Sequence, residues 1–108
     1  AIAVENPGVG ELKSKEDGIW GDRGEFSARM IMMGRNYVGI STHQKFCLIE
    51  WMKKQEYIDA EKIAVSAHSL GAEPAAYLGV LSDDIKAVIY NDFSGNRLNR
   101  KVALKKAK

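Results

Sequence analysis

The sequence is poor in cysteine, histidine and proline: its 108 residues include one cysteine, two histidines and two prolines. Because Cys47 is the single cysteine, no internal disulfide can form. Together with His43 and His68 it supplies too few ligands for a structural zinc site, which takes four. No apolar run approaches the roughly 20 residues of a membrane-spanning helix. The sequence therefore predicts no metal and no membrane partner.

A dinucleotide-binding fingerprint is also missing. Gly8 and Gly10 follow a short apolar run, but the third glycine of that pattern would fall at position 13, which is Lys13. We therefore predict an activity that uses no bound cofactor.

Charge is unevenly spread along a chain whose composition, 45% hydrophobic and 28% charged residues, is typical of one globular domain. All 14 acidic residues lie at or before Asp92, and six of the 16 basic residues lie in the last dozen positions, so the tail carries +6 and the rest −4. A basic tail can bind phosphate. Since no aromatic residue is interleaved to stack on a base, we predict a solvated end and no nucleic-acid partner. The sequence divides into a domain at 1–95 and a basic tail at 96–108.

Apolar runs of strand length alternate with segments of helical spacing. The pattern predicts strands at 1–4, 62–67 and 85–90, and helices at 25–35, 41–55 and 72–81. This order predicts an α/β fold, a three-layer sandwich in which helices flank a mainly parallel central sheet. A strand that starts at the first residue suggests a partial chain. Three strands alone would leave sheet edges unpaired, so we expect self-association or a missing remainder of the polypeptide.

The predicted helix at 41–55 has Ser41 or Thr42 as its cap. Its apolar face and its solvent face are predicted from helical spacing. The apolar face holds Leu48, Trp51, Met52 and Gln55, and the solvent face holds Lys45, Lys53 and Lys54. Cys47 is predicted to be a small buried hydrophobe.

A serine stands at the predicted junction of the strand at 62–67 with the helix that follows. Ser69 lies between the small residues Ala67 and Gly71, which a tight turn needs because its flanking backbones nearly touch. Such a turn holds the serine in a strained conformation and raises its hydroxyl above the sheet edge. The free N–H groups of the next helix then point towards it.

These residues resemble the α/β-hydrolase superfamily, whose nucleophile elbow Gly-x-Ser-x-Gly is present as Ala67-His68-Ser69-Leu70-Gly71, with alanine for the first glycine. The flanking segments 58–63 and 85–93, together with Glu73-Pro74, are similar to the branch that holds acetyl xylan esterases and dienelactone-hydrolase-like enzymes. The resemblance covers about residues 1–95. It implies that this chain is a fragment of an α/β-hydrolase fold.

The resemblance also implies roles. Ser69 would be the nucleophile that attacks an ester carbonyl, and the backbone N–H of Leu70 would be one donor of the oxyanion hole. The histidine base and its carboxylate usually follow later strands in this superfamily. Asp92, at the end of the neighbouring strand, is either that acid or a plain turn residue. The implied substrate is a small or carbohydrate ester.

Three further side chains have alternative interpretations. His68 adjoins Ser69, but neighbouring side chains diverge on a sharp turn, so it packs at the rim or contacts substrate rather than acting as base. His43, in the first turn of its predicted helix, either reaches the same edge or is an ordinary exposed histidine. Glu73 stabilises the helix N-terminus or contacts substrate.

The function predicted from these residues is a serine ester hydrolase. The alternative is a catalytically inactive remnant or interaction module that keeps the turn because it packs well.

Overall fold

The computed structural model describes residues 1–12, 21–91 and 103–104. The chain forms two compact units, Ala1–Ser41 and Thr42–Lys108. In the described ranges, no helix combines the length and the apolar character needed to cross a membrane.

The first unit begins with an extended segment rather than a strand. Residues 1–4 are exposed and have no regular secondary structure, so the predicted strand is wrong. A strand needs a neighbour for its backbone groups, and none of the described residues pairs with this segment. A turn follows it, with positive φ at Gly8 and Gly10. The turn is held by Tyr37, whose hydroxyl donates to the carbonyl of Pro7 at 2.8 Å.

Helix α1 spans Gly21–Met32, four residues ahead of the predicted start. It ends where Gly34 adopts a φ of 69°. The N–H of Arg35 donates to the carbonyl of Met30 at 2.8 Å, and the N–H of Gly34 donates to that of Ile31 at 2.9 Å. This pair of bonds is the Schellman ending of a helix. Met32, the last residue of α1, and Met33 are both exposed.

Helix α2 spans Tyr37–Met52 and contributes residues to both units. Its cap is Asn36, whose Oδ1 accepts a 2.6 Å hydrogen bond from the N–H of Gly39. The predicted caps Ser41 and Thr42 are instead buried within the helix. Ser41 lies inside α2, which begins at Tyr37, and its hydroxyl donates a 2.7 Å hydrogen bond to Oδ1 of Asn6.

In the second unit, the part of α2 that meets the core centres on Ile49, which is 4% exposed, with Phe46 and Met52 packed beside it. The predicted apolar face is right for Met52 and wrong for Trp51, which is exposed. Cys47, predicted to be buried, is exposed, and Lys45, predicted to face solvent, is half-buried. Both predictions are therefore wrong.

The sheet of the second unit agrees with the predicted α/β order. Strand β1, Ile63–His68, pairs in parallel with strand β2, Ile85–Asn91, and helix α3, Ala72–Leu81, connects them. The bounds of α3 match the prediction, and the strands match within one residue at each end. A two-residue strand, β3, Ala103–Leu104, adds antiparallel to β2. Part of the basic tail therefore pairs with the sheet instead of lying in solvent.

One face of this sheet carries the core. The buried residues in contact there come from α2, α3 and the two parallel strands; they are Ile49, Ile63, Ala75, Leu78, Ile85 and Val88. The opposite side carries exposed residues, among them Ala64, Ser66 and Ile89. Helix α3 also has an exposed apolar side, formed by Tyr77, Val80 and Leu81. Self-association, or contact with a remainder of the polypeptide, stays a prediction. These exposed surfaces are where such a contact would form.

Helix α3 lies close to β2 at Gly79. A β-carbon at Gly79 would come within 2.7 Å of Cγ2 of Val88. We expect Gly79→Ala to lower the free energy of unfolding by about 1 kcal/mol. The clash costs about 1–3 kcal/mol, which exceeds the gain in helix propensity of about 1 kcal/mol.

Urea unfolding measures this effect. The double variant Gly79→Ala, Val88→Ala removes the opposing methyl group, so its loss should be smaller than the sum of the two single losses. A Gly79→Ala variant more stable than wild type would contradict the close approach.

Burial of Lys45 predicts a pH-dependent stability. It lowers the pKa of this lysine from 10.5 to about 8. Between these two pH values the unfolded chain binds more protons than the folded chain, so this site makes the free energy of unfolding rise with pH. Lys45→Met should abolish that rise in urea titrations at pH 8 to 10.5. The exposed residue Lys54 provides the control, since Lys54→Met should show the same rise of the unfolding free energy with pH as wild type. If the rise is equal in wild type and both variants, the prediction is refuted.

Candidate functional site

The candidate site is the turn that joins β1 to α3. Strand β1 ends at His68, residues Ser69–Gly71 form one turn of 3-10 helix, and α3 begins at Ala72. Ser69 has a φ of 49° and is the non-glycine residue with positive φ in the described part of the chain. The left-handed conformation costs roughly 1–2 kcal/mol for a residue with a β-carbon. The strain expected of this serine is therefore present.

Local hydrogen bonding and small side chains set this geometry. The N–H of Ala72 donates to the carbonyl of Ser69, which closes the turn directly onto the helix. Ala72 is fully buried, so the start of α3 is fixed beneath the turn. Gly71 has an ordinary φ of −74°, so the turn does not require the backbone freedom of glycine at this position. The turn lies at the carboxyl edge of the parallel strands, where ligands of α/β sheets bind.

The Ser69 side chain is exposed. Among the described residues, no hydrogen bond engages its hydroxyl. The N–H of Leu70 lies in the first turn of the helical segment, where N–H groups have no acceptor within the helix. The positive end of the α3 dipole is at the same place. The arrangement offers an accessible hydroxyl beside a donor that could stabilise negative charge.

The remaining predicted residues are distributed around this turn. His68 is exposed at the end of β1 and is the register partner of Asn91 on β2. Glu73 is half-buried in the first turn of α3, where its negative charge interacts favourably with the positive end of the helix dipole. Asp92 lies outside the described residues.

No hydrogen bond joins His43 to the turn at Ser69–Gly71. It lies in the second turn of α2 rather than the first, is exposed, and faces Cys47. Neither histidine is hydrogen-bonded to the Ser69 hydroxyl in this structure.

Asn91 is the residue at this edge that the sequence analysis missed. It ends β2 and stands opposite His68 in the parallel register. The signal was available, because Asn91 is the first polar residue after the apolar run at 85–90 and a parallel neighbour strand must end at the same edge.

The strain at Ser69 predicts an unusual stability effect. Ser69→Gly removes the β-carbon that makes the left-handed region costly, so this variant should be more stable than Ser69→Ala by about 1 kcal/mol. Comparison of the two variants by urea unfolding isolates the conformational cost, because both lack the hydroxyl. Equal stability of the two would contradict a left-handed residue at this position.

Two comparisons with known proteins find matches to this chain. The model of a family described as the Abhydrolase family matches residues 1–108. Among solved structures, the crystal structure of a candidate acetyl xylan esterase from Bacteroides fragilis is 35% identical, with a TM-score of 0.74. The alignment covers 83% of this chain and 24% of that one, so this chain spans about a quarter of its length. No curated protein matches the chain.

Proposed function

Since this chain belongs to the Abhydrolase family, we propose that it carries the nucleophile of a serine esterase, and that Ser69 is this nucleophile. The family and the acetyl xylan esterase-like neighbour support an ester-hydrolysing function for an α/β-hydrolase fragment. The proposed substrate is an acetyl ester of a carbohydrate, by analogy with the name of that neighbour.

The observation that carries this proposal is the conformation of Ser69. A φ of 49° at an exposed serine is energetically unfavourable, and such strain concentrates at functional sites. A glycine would adopt the same conformation without the strain. The presence of serine is explained if the hydroxyl is needed there.

The proposed reaction begins when Oγ of Ser69 bonds to the acyl carbon of the ester. The hydroxyl proton passes to a histidine base, and the carbonyl oxygen becomes an oxyanion that the N–H of Leu70 stabilises. A donor of this kind is commonly worth about 10²–10³ in rate. The alcohol then leaves with the proton, and water cleaves the acyl-serine to release the acid and restore Ser69.

The base is proposed to come from outside these 108 residues, because the sequence has two histidines and neither His43 nor His68 bonds to Ser69. Asp92 directly follows the last residue of β2, and we propose it as the acid that would orient that base. His68 and Glu73 stand one residue before and four residues after the nucleophile. Their proposed role is contact with the substrate rather than proton transfer.

Acetate release from acetylated xylan and from p-nitrophenyl acetate tests the proposal in the intact protein. Turnover of both esters is expected, with the reaction following saturation kinetics. If p-nitrophenyl acetate alone is hydrolysed, the proposed esterase activity stands and the proposed carbohydrate substrate is rejected. Failure to turn over either ester would favour the inactive remnant, which the absence of a histidine bonded to Ser69 among the described residues also supports.

A further inference from the structure

Helix α2 places two metal-binding side chains in contact on its exposed surface. Sγ of Cys47 lies 3.7 Å from Nε2 of His43, and both residues are exposed. Residues four apart on a helix face the same side. The α2 backbone therefore holds a thiol and an imidazole side by side.

The distance between these two atoms matches the spacing of two ligands on one tetrahedral metal ion. With a metal–sulfur bond of about 2.3 Å and a metal–nitrogen bond of about 2.05 Å, a tetrahedral angle separates sulfur from nitrogen by about 3.6 Å. The observed 3.7 Å agrees with this value. The two side chains need no large movement to bind the same ion.

We propose that His43 and Cys47 form a two-ligand site for a soft divalent cation of the zinc type. Thiolate and imidazole together select such ions over magnesium and calcium, which prefer oxygen ligands. Binding forms a metal–sulfur bond and a metal–nitrogen bond and releases the thiol proton to solvent. No oxidation or reduction is involved.

Water fills the remaining positions of this site. No cluster of three or more histidine, cysteine or acidic side chains suited to a metal occurs in the described ranges. Glu50, the next candidate one turn along α2, has its carboxylate 3.1 Å from Nζ of Lys53. Exposure of both ligands leaves room for water molecules on the outer side of the ion.

Titration of the reduced full chain with Cd²⁺, a soft ion with the same ligand preference as Zn²⁺, tests the site through the ultraviolet charge-transfer band of a cadmium–thiolate bond. We expect a band that saturates at one ion per chain. Cys47→Ser should abolish the band. His43→Gln should weaken binding by about tenfold or more, because the second ligand acts at high effective concentration.

A relocated histidine provides the matched control. The double variant His43→Gln, Lys54→His keeps one cysteine and two histidines but moves the second ligand to a position seven residues from Cys47 and beyond the end of α2 at Met52. It should bind Cd²⁺ as weakly as His43→Gln alone. Circular dichroism confirms that each variant is folded. Equal affinity of wild type and His43→Gln, or no thiolate band in wild type, would overturn the proposal.

Discussion

Replacement of Ser69 by alanine is expected to lower kcat/KM for ester hydrolysis by the intact protein by roughly 10⁴- to 10⁶-fold, the range seen when a hydrolase loses its nucleophile. The physical reason is that no covalent acyl intermediate can form without Oγ, whatever the remaining groups do. The fold should persist, because Ser69 is exposed and its hydroxyl bonds to no described residue. Initial rates with p-nitrophenyl acetate measure the loss, and circular dichroism checks the fold.

Ser66 is a matched control for this variant. It is also an exposed serine, three residues earlier on β1 and outside the turn. Ser66→Ala should retain activity within a factor of about two, since surface substitutions are usually nearly neutral. Retained activity in Ser69→Ala, or an equal loss in both variants, would show that the hydroxyl of Ser69 is not the nucleophile.

Truncation of Leu78 is expected to cause a large loss of stability. This side chain is 2% exposed and contacts the cluster in which Ile85 and Val88 line the sheet. Leu78→Ala should lower the free energy of unfolding by about 2–5 kcal/mol, through lost burial and the cavity left behind. The total stability of a domain is about 5–15 kcal/mol, so this substitution would remove a large part of the free energy of unfolding. Urea unfolding followed by circular dichroism gives the value.

The same helix supplies the control for this variant. Leu81 is also a leucine of α3 but is 65% exposed, so Leu81→Ala should change the free energy of unfolding by about 0.5 kcal/mol or less. The two variants remove identical atoms, and their difference therefore measures burial alone. Similar losses in both would mean that the two sides of α3 are equally covered.

In the second half of the chain, strands β1 and β2 and helix α3 could be predicted well. Their apolar patterns favour the same secondary structure that packing into a parallel sheet requires. The run at 62–67 and the run at 85–90 are short and apolar, and the helix between them starts immediately after the turn and stops at Ser82. Parallel pairing follows from this order, since the chain must cross over to return in the same direction. Strands β1 and β2 and helix α3 were each confirmed within one residue at each end.

The first half shows where sequence signals alone are insufficient. An apolar run such as 1–4 becomes a strand only if another strand accepts its hydrogen bonds. At α2, Asn36 and Ser41 are both good caps, and only the bond from Gly39 to Asn36 distinguishes them. The run Phe46-Cys47-Leu48-Ile49 is apolar on every side, so helical spacing could not identify Ile49 as the core residue.

The candidate site was predictable as far as its turn. Small residues on both sides of Ser69 indicated a tight bend, and the positive φ agrees with it. The catalytic partners could not be predicted, because they depend on which strand ends meet Ser69 in three dimensions. The two histidines of the chain are both exposed, and one of them faces Cys47 instead.

The central claim is that the strained turn presents a reactive serine, and the site of covalent labelling tests it most directly. The intact protein is treated with a fluorophosphonate, digested and mapped by tandem mass spectrometry. The account predicts a stoichiometric adduct on Ser69 and none on Ser66. An adduct confined to another serine, or an unlabelled Ser69 in protein that hydrolyses esters, would contradict it.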